Sequence, residues 1–593
     1  MQPVDKFLRN PNWRHAWVLI FVYPFLFSWQ GIDFSDMGYS LTSYHYIFSH
    51  PESISSTFGV YLTNLIGGFI LHTTGEYGFI AVRLSDGIVF LLVIFVSYRV
   101  FRPFFEKNFA IAVFSVVVLY VMSRRSGNWL RYDHITPLFY VLSAYWAIRG
   151  IERSKPTWMI LAGLCIGLNI FVKITNIVGF VFLLPIAYAC ILNAMTLRQF
   201  LKIISLFLMG IILAIIAMIV VLVMLDHLGL FLNNLGELFL VGRSKTSNHN
   251  VIHLLETYTR QYLSAGILTL LFVFICAIAY VSTTRGPLIA NRLLVGSIVA
   301  IGMFIAIILS LDREIIEETS FIWRLNFLYE RLRLNVPIDK GILFGITICC
   351  CGYLMLRRDV LRKNGQVLVT FVLTIILITT LGSAGGLNNI DNTMHVGIPI
   401  IGIVLSVRYP WAEWNKLTLE AKALIVSVSV VFVTFCIAAG YTNTYRDSTN
   451  RFSMRYQIDH PKIRSIFTTK HRVSVIRELL EISPRYFRRF DYTLIDSMPL
   501  AYYLTDTLPY LSDPWPGNIF DPTQREKAFE LARVVNRERP AILVTKTDVS
   551  GLESTMSSTS KEKPALVRKI GGSYTRVWSG NWFEIWLPEQ VNQ

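Results

Sequence analysis

The 593-residue chain is 53% hydrophobic and 13% aromatic, with only 16% charged residues, a formal net charge of +16 and a mean hydropathy of +0.49. That composition excludes a chain built only of soluble domains, because stretches of roughly 20 apolar residues, the length that crosses a bilayer, recur from residue 15 to residue 441. The Lys and Arg excess falls between these stretches, where it orients helices against the membrane, so the basic charge does not point to nucleic acid.

Spans are expected near residues 15–30, 78–101, 108–123, 134–150, 157–172, 174–193, 203–225, 262–282, 293–311, 339–356, 366–382, 396–409 and 422–441, about thirteen in all. The first carries Lys6, Arg9 and Arg14 on its flank and no small-residue cleavage site, so it reads as a retained anchor with a cytoplasmic N-terminus. An odd number of crossings then sends the C-terminus outside. About twenty Lys and Arg in the inner segments, against about eleven in the outer loops, agree with that orientation. The outer loops 31–77, 226–261 and 311–338 are the long ones, which places chemistry on the outer face. Within the first of them, Thr57 to Thr73 is apolar at helical spacing but interrupted by Gly59, Gly67 and Gly68, a pattern that suits a helix lying along the membrane surface.

Composition changes after Tyr441. Asp491 to Asp496 and Ala541 to Thr547 read as strands, Thr523 to Arg537 as an amphipathic helix and Tyr574 to Leu587 as an aromatic hairpin, with an exposed loop over Thr545 to Lys563. The fold class is therefore a polytopic α-helical membrane domain over residues 1–441, followed by a soluble α/β domain over residues 442–593 on the outer side. The seven cysteines lie in apolar segments and none in the polar tail, so neither a disulfide framework nor a zinc site is implied.

Candidate functional residues follow in chain order. The first outer loop holds no Lys or Arg between Gly31 and Tyr77, yet begins with Asp33 and Asp36. A carboxylate pair at the membrane surface can serve as general base or cation ligand; a helix N-cap at Ser35 or Asp36 accounts for it equally well. Arg83 lies one turn into the second span, three residues from Asp86 as a local ion-pair partner. Asp133 and His134 stand at the same membrane level as Asp36 and form half of a metal site, although a capping Asp beside an interfacial His is commoner.

Lys173 interrupts the apolar stretch Leu161 to Leu184, where a lysine at mid-membrane would cost roughly 2.5–3.5 kcal/mol. A sharp turn between two short helices at the outer mouth removes most of that cost and leaves the ammonium free to bind an anion. Arg243 and Lys245, with Ser244 and Thr246, form a cationic cluster suited to phosphate, or a solvated loop. No Gly-rich nucleotide loop, HExxH helix, GxSxG elbow or CxxC pair occurs.

Four motifs, in order, resemble the GT-C superfamily of polytopic glycosyltransferases, the class that includes lipid A aminoarabinose transferases and protein O-mannosyltransferases. They are Asp36-Met37-Gly38-Tyr39, Gly75 to Leu84 (GEYGFIAVRL), Tyr132-Asp133, and Gly163 to Lys173 (GLCIGLNIFVK). The resemblance covers mainly residues 15–195. It departs from the family where Met37 replaces the Glu that usually follows the loop aspartate and Asp33 supplies an earlier acid.

The resemblance implies inverting transfer of a sugar from a polyprenyl-phosphate-linked donor to a lipid, glycan or protein acceptor on the outer face. Asp36 would be the base with Asp33 as its helper. Lys173, Arg243, Arg83 and Lys245 would hold the donor phosphate. Asp133 and His134 would complete a site for a divalent cation (Mg, Mn or Zn) or position the acceptor. The sequence contains no Asn-x-Ser/Thr acceptor, which leans towards a bacterial inner membrane. A lipid-linked glycan polymerase or ligase using Arg313, Arg324, Arg331 and Arg333, and a polytopic transporter, are the competing expectations.

Overall fold

The computed structural model describes residues 14–101, 128–153, 155–243, scattered positions between 252 and 270, and residues 363–382, 447, 451–515, 522–536, 539–546 and 573–589. The spans expected at 108–123, 293–311, 339–356, 396–409 and 422–441, most of 262–282, the loop 311–338 and most of the loop Thr545 to Lys563 lie outside the described residues.

The other expected spans fall on helices. They are α1 (Arg14–Val22), α4 (Gly78–Phe101), α5 (Tyr132–Arg153), α6 (Pro156–Val172), α7 (Leu183–Leu192, entered through a 3-10 segment Ile174–Phe182), α8 (Leu197–Met224) and α10 (Lys363–Gly382). Between α1 and α4 stand α2 (Asp36–Tyr46) and α3 (Tyr61–Thr74), and α8 is followed by α9 (Leu228–Arg243). Among the described residues, three stretches of continuous helix, Pro51–Val100, Ile174–Leu192 and Leu197–Met224, are long and apolar enough to cross a bilayer, so the chain is a helical membrane protein.

Two packing choices set the geometry of the membrane helices. α6 and α8 touch backbone to backbone: a Cβ on Gly163 would lie 1.9 Å from the Phe207 carbonyl oxygen, and one on Gly210 would lie 2.1 Å from that of Ile160. Small residues at such crossings are what lipid-embedded helices use when no hydrophobic force separates helix from lipid. α3 crosses α2 by the same device, since a Cβ on Gly67 would sit 2.5 Å from the Tyr44 ring. The glycines that suggested a surface helix are thus contact residues.

The C-terminal unit is α/β. A five-stranded sheet has the order β4-β3-β5-β7-β6, with β3 (Tyr492–Ile495) parallel to β4 (Leu508–Pro509) and β5 (Ala541–Thr545), and with β7 (Phe583–Pro588) antiparallel to both β5 and β6 (Tyr574–Ser579). Around it lie α11 (Lys470–Tyr486), α12 (Leu500–Thr505) and α13 (Pro522–Asn536). Both expected strands, the helix and the hairpin are present. A separate two-stranded ribbon pairs β1 (Tyr456–Gln457) with β2 (Phe467–Thr468).

This ribbon and α11 grip the segment leading into the first loop. The Gly31 amide donates to the Phe467 carbonyl at 2.8 Å and the Phe467 amide donates to that of Trp29 at 2.8 Å. Beside them Asp447 and Arg472, both fully buried, form an ion pair at 3.2 Å. Asp447 Oδ2 also accepts from the Ile32 amide (2.7 Å) and the Thr468 hydroxyl (2.8 Å). Arg472 Nη1 donates to the Ile32 carbonyl at 3.0 Å, and its guanidinium lies over the Phe34 ring. Gly31 has φ +88°, where a side chain would be strained, so a glycine is needed at this bend. The Leu500 amide donates to the Phe34 carbonyl at 3.1 Å, and Gly38 passes so close to Leu500 that a Cβ there would meet its backbone nitrogen at 2.3 Å.

Removing one member of a buried ion pair leaves the other charge uncompensated, at a cost of about 3–5 kcal/mol. Arg472→Met should therefore lower the melting temperature of the purified protein and open protease sites around residues 447–470. Unchanged melting and cleavage would show that this pair does not hold the two parts together.

Candidate active site

The acidic loop is organised from its backbone outward. Asp33 is buried, and its carboxylate closes the N-terminus of α2: Oδ1 accepts from the Ser35 amide (3.0 Å) and hydroxyl (2.7 Å), and Oδ2 accepts from the Met37 amide (2.7 Å). This satisfies amides that the first helical turn leaves without intrahelical partners. Asp36, the first residue of α2, is only half-buried. Tyr39 follows one turn later on the same face. The two carboxylates anticipated as a pair thus divide into a capping group and a group open to the site.

The segment 128–133 is tied against α2. Tyr44 donates to the Leu130 carbonyl at 2.6 Å, and Trp129 Nε1 donates to the Ser40 hydroxyl at 3.1 Å. This brings Tyr132 into the fields of Asp133 and Asp36. Asp133 pairs with Arg131, whose guanidinium also lies over the Trp129 and Tyr132 rings.

Lys173 arrives from the other side. α6 stops at Val172, Lys173 itself is extended (φ −155°, ψ 126°), and the 3-10 segment starts at Ile174. Breaking a helix inside an apolar bundle leaves backbone groups that lipid cannot satisfy. Asn176 meets part of that need by donating to the carbonyl and side-chain oxygens of Asn169, both at 3.1 Å, while Asn169 donates to the Thr136 carbonyl at 3.2 Å. The lysine ammonium then stands 4.6 Å from the Tyr132 ring centre, with Asp133 and Arg131 as the charged groups acting on it. Asp36, Tyr39, Arg131, Tyr132, Asp133 and Lys173 form one cluster at the end of the helices.

Two of the expected site residues take other partners. Arg83 does not reach towards this cluster: buried in α4, it donates to the carbonyls of Ser28 (2.9 Å), Gln30 (2.9 Å) and Gly31, and it lies over the Phe79 ring. Its two terminal nitrogens shape the turn before Asp33. His134 does not converge with Asp133, because its Nδ1 lies 2.7 Å from Asp86 Oδ1 between α4 and α5, and both side chains are buried. Asp86 therefore partners His134 and not Arg83. Adjacent helical residues point about 100° apart, which is why Asp133 can face Arg131 while its neighbour faces α4. The two do not fit a shared cation, and among the described residues no three His, Cys, Asp or Glu side chains gather as a metal site. Arg243 is the last residue of α9, with its side chain outside the described residues, as is Lys245 altogether.

Sequence reasoning missed a carboxyl that enters from the C-terminal unit. Ser512 adopts φ +58°, its carbonyl accepts from the Ser56 amide at 3.2 Å, and the turn directs Asp513 inward to 7% exposure. Asp513 Oδ1 accepts from the Trp515 amide at 2.7 Å. Burial is the main cause that pushes its carboxyl up to about 6, with Glu237 adding to the rise and the Trp515 amide and Ser56 opposing it. Burial, followed by the fields of Asp513, Tyr132 and Asp36, pushes the Tyr39 hydroxyl well above its ordinary value. The only signal in the sequence was a turn motif, Ser512-Asp513-Pro514-Trp515.

The fold and the cluster define a helical membrane protein with an α/β unit closing over an acidic and basic site. No family model and no curated protein matches the chain. Among solved structures it is similar to ArnT from Cupriavidus metallidurans bound to undecaprenyl phosphate, at 14% identity and a TM-score of 0.40, covering 97% of this chain and 98% of that one.

Because Asp33 holds the α2 N-terminus, Asp33→Ala should destabilise the protein by about 1–3 kcal/mol through the buried donors it leaves unpaired. A thermal melt checks this. A melting temperature equal to that of the parent would deny it the capping role.

Proposed function

We propose that the chain is a membrane glycosyltransferase of GT-C type that moves a sugar from a polyprenyl-phosphate-linked donor to a hydroxyl-bearing acceptor, with inversion, at the outer face of a bacterial inner membrane. The C-terminal unit stands on that outer side. The observation that carries this reading is that a half-buried carboxylate, Asp36, and an ammonium, Lys173, placed at a break in a membrane helix, both act on Tyr132. An inverting displacement needs those two groups on opposite sides of the reacting carbon.

Asp36 takes the proton of the acceptor hydroxyl as its oxygen attacks the anomeric carbon. The bond from that carbon to the phosphate oxygen breaks in the same displacement, and its electron pair leaves with polyprenyl phosphate. Lys173 offsets the negative charge that develops there, and Arg131 sets the position of Asp133 in the wall between them. Asp33 and Arg83 act through the loop, as positioning residues for Asp36. No step is routed through a divalent cation.

Asp36→Asn should lower transfer by 10² to 10⁴-fold, the usual contribution of a general base, while the melting temperature stays unchanged. Near-normal turnover would remove Asp36 from the chemistry. Lys173→Ala should raise the donor KM at least tenfold, and Lys173→Arg should recover part of the loss. An unchanged donor KM in the alanine variant would take Lys173 out of the phosphate site.

A further inference from the structure

The cluster does not end at Tyr39. Beyond it lie the 3-10 segment Pro51–Val60, α12, α9 and the turn after β4, and two polar groups there, Asp513 and Ser56, act on Tyr39. Asp513 Oδ1 accepts from the Trp515 amide, and the Ser56 hydroxyl lies beside the same carboxyl. The Ser56 hydroxyl is buried beside both Asp513 and Tyr39, yet makes no well-formed hydrogen bond there. Trp515 lies next to the carboxyl and is half-exposed. A buried hydroxyl without a well-formed partner costs free energy unless something supplies a donor or an acceptor.

We propose that Asp513, with Ser56 and Tyr39, binds the hydroxyls of a sugar-bearing acceptor, so that the C-terminal unit selects the molecule that Asp36 then activates. This inference rests on the transferase reading above. A carboxylate oxygen accepts from neighbouring sugar hydroxyls, a serine hydroxyl and a phenol both donate and accept, and an indole offers an apolar face to a pyranose ring. Tyr39 lies one helical turn beyond Asp36, so an acceptor held at Asp513 extends along α2 towards the base. Lys173 and Arg131, both against the Tyr132 ring, are left to the anionic donor. Asp513 is a positioning residue and takes no proton from the acceptor.

The ionisation of Asp513 gives this arrangement a pH signature. The titratable groups facing it are Tyr39 from α2, Tyr502 from α12 and Glu237 from α9. Both tyrosines are pushed further up by burial, so neither changes charge near neutrality. Glu237 is also raised by burial, and its charge adds to the rise of Asp513. The carboxylate form accepts hydroxyls on both oxygens, so acceptor use should rise through pH 6, where the carboxyl loses its proton.

The test uses full-length protein in nanodiscs, radiolabelled polyprenyl-phosphate hexose, pentose and amino-sugar donors, and methyl and octyl glycosides as acceptor probes. Asp513→Asn should raise the acceptor KM at least tenfold, leave the donor KM within twofold and abolish the acid limb near pH 6 in kcat/KM for the acceptor. Asp513→Glu should restore part of the affinity, and Glu237→Gln should leave the limb in place. Equal changes in donor and acceptor KM, or an acid limb that survives in Asp513→Asn, would overturn the assignment. If the parent protein transfers none of the sugars, the transferase reading fails first. Binding of methyl glycosides, measured by calorimetry, then decides the present point alone: affinity lost in Asp513→Asn supports the sugar site, and no binding to the parent or equal binding to both overturns it.

Discussion

Arg472 and Asp447 are two opposite charges removed completely from water, and such a pair is stable only when every remaining donor and acceptor finds a partner. Here those partners come from the entry to the first loop: the amide and carbonyl of Ile32 and the ring of Phe34, together with the Thr468 hydroxyl. The pair therefore cannot form unless the loop takes one path. That path bends at Gly31, is clasped from the other side by Arg83, and delivers Asp33 to the start of α2. The direction of Asp36 follows from these constraints, set by groups more than 400 residues away in sequence.

A second tie lies at the opposite end of α2. His45 and Lys462 converge on Asp506, and Tyr46 donates to the Thr507 carbonyl at 2.9 Å. Burial pushes the Asp506 carboxyl up, but the hydrogen bonds and charge of His45 and Lys462 outweigh it and hold the carboxyl below the usual carboxylate range. α2 is thus fixed at both ends by the C-terminal unit, and a helix fixed at both ends holds the face carrying Asp36 and Tyr39 in one orientation.

The basic residues show how one charge type serves two ends. Arginine carries a planar fork of donors suited to several fixed oxygens, whereas lysine is a compact charge on a flexible stem. Arg83 and Arg472 spend their forks on backbone carbonyls and act as clamps. Lys173 is placed where a helix stops, beside the Tyr132 ring and in the field of Asp133. The side chain that terminates α6 is also the one the bundle presents to the site.

By itself the sequence determined the elements that depend on local pattern. Apolar length set the helices, and short apolar or aromatic runs bounded by polar residues set the β3, β5 and β6–β7 strands. A lysine inside an apolar stretch required a turn, which the structure places at Lys173. It also set Asp36, Arg83, Asp133 and Lys173 on one outer face, whereas packing turns Arg83 onto the loop carbonyls and brings Asp36, Asp133 and Lys173 around Tyr132. It did not separate a capping aspartate from an open one, since Asp33 and Asp36 differ only in which way the turn before α2 aims them. It paired Arg83 with Asp86 and Asp133 with His134 by proximity along the chain, while packing chose carbonyls of the loop for Arg83 and Asp86 for His134. Asp513 was invisible for the same reason. The direction and burial of a side chain depend on contacts between distant segments, and only the tertiary structure fixes those.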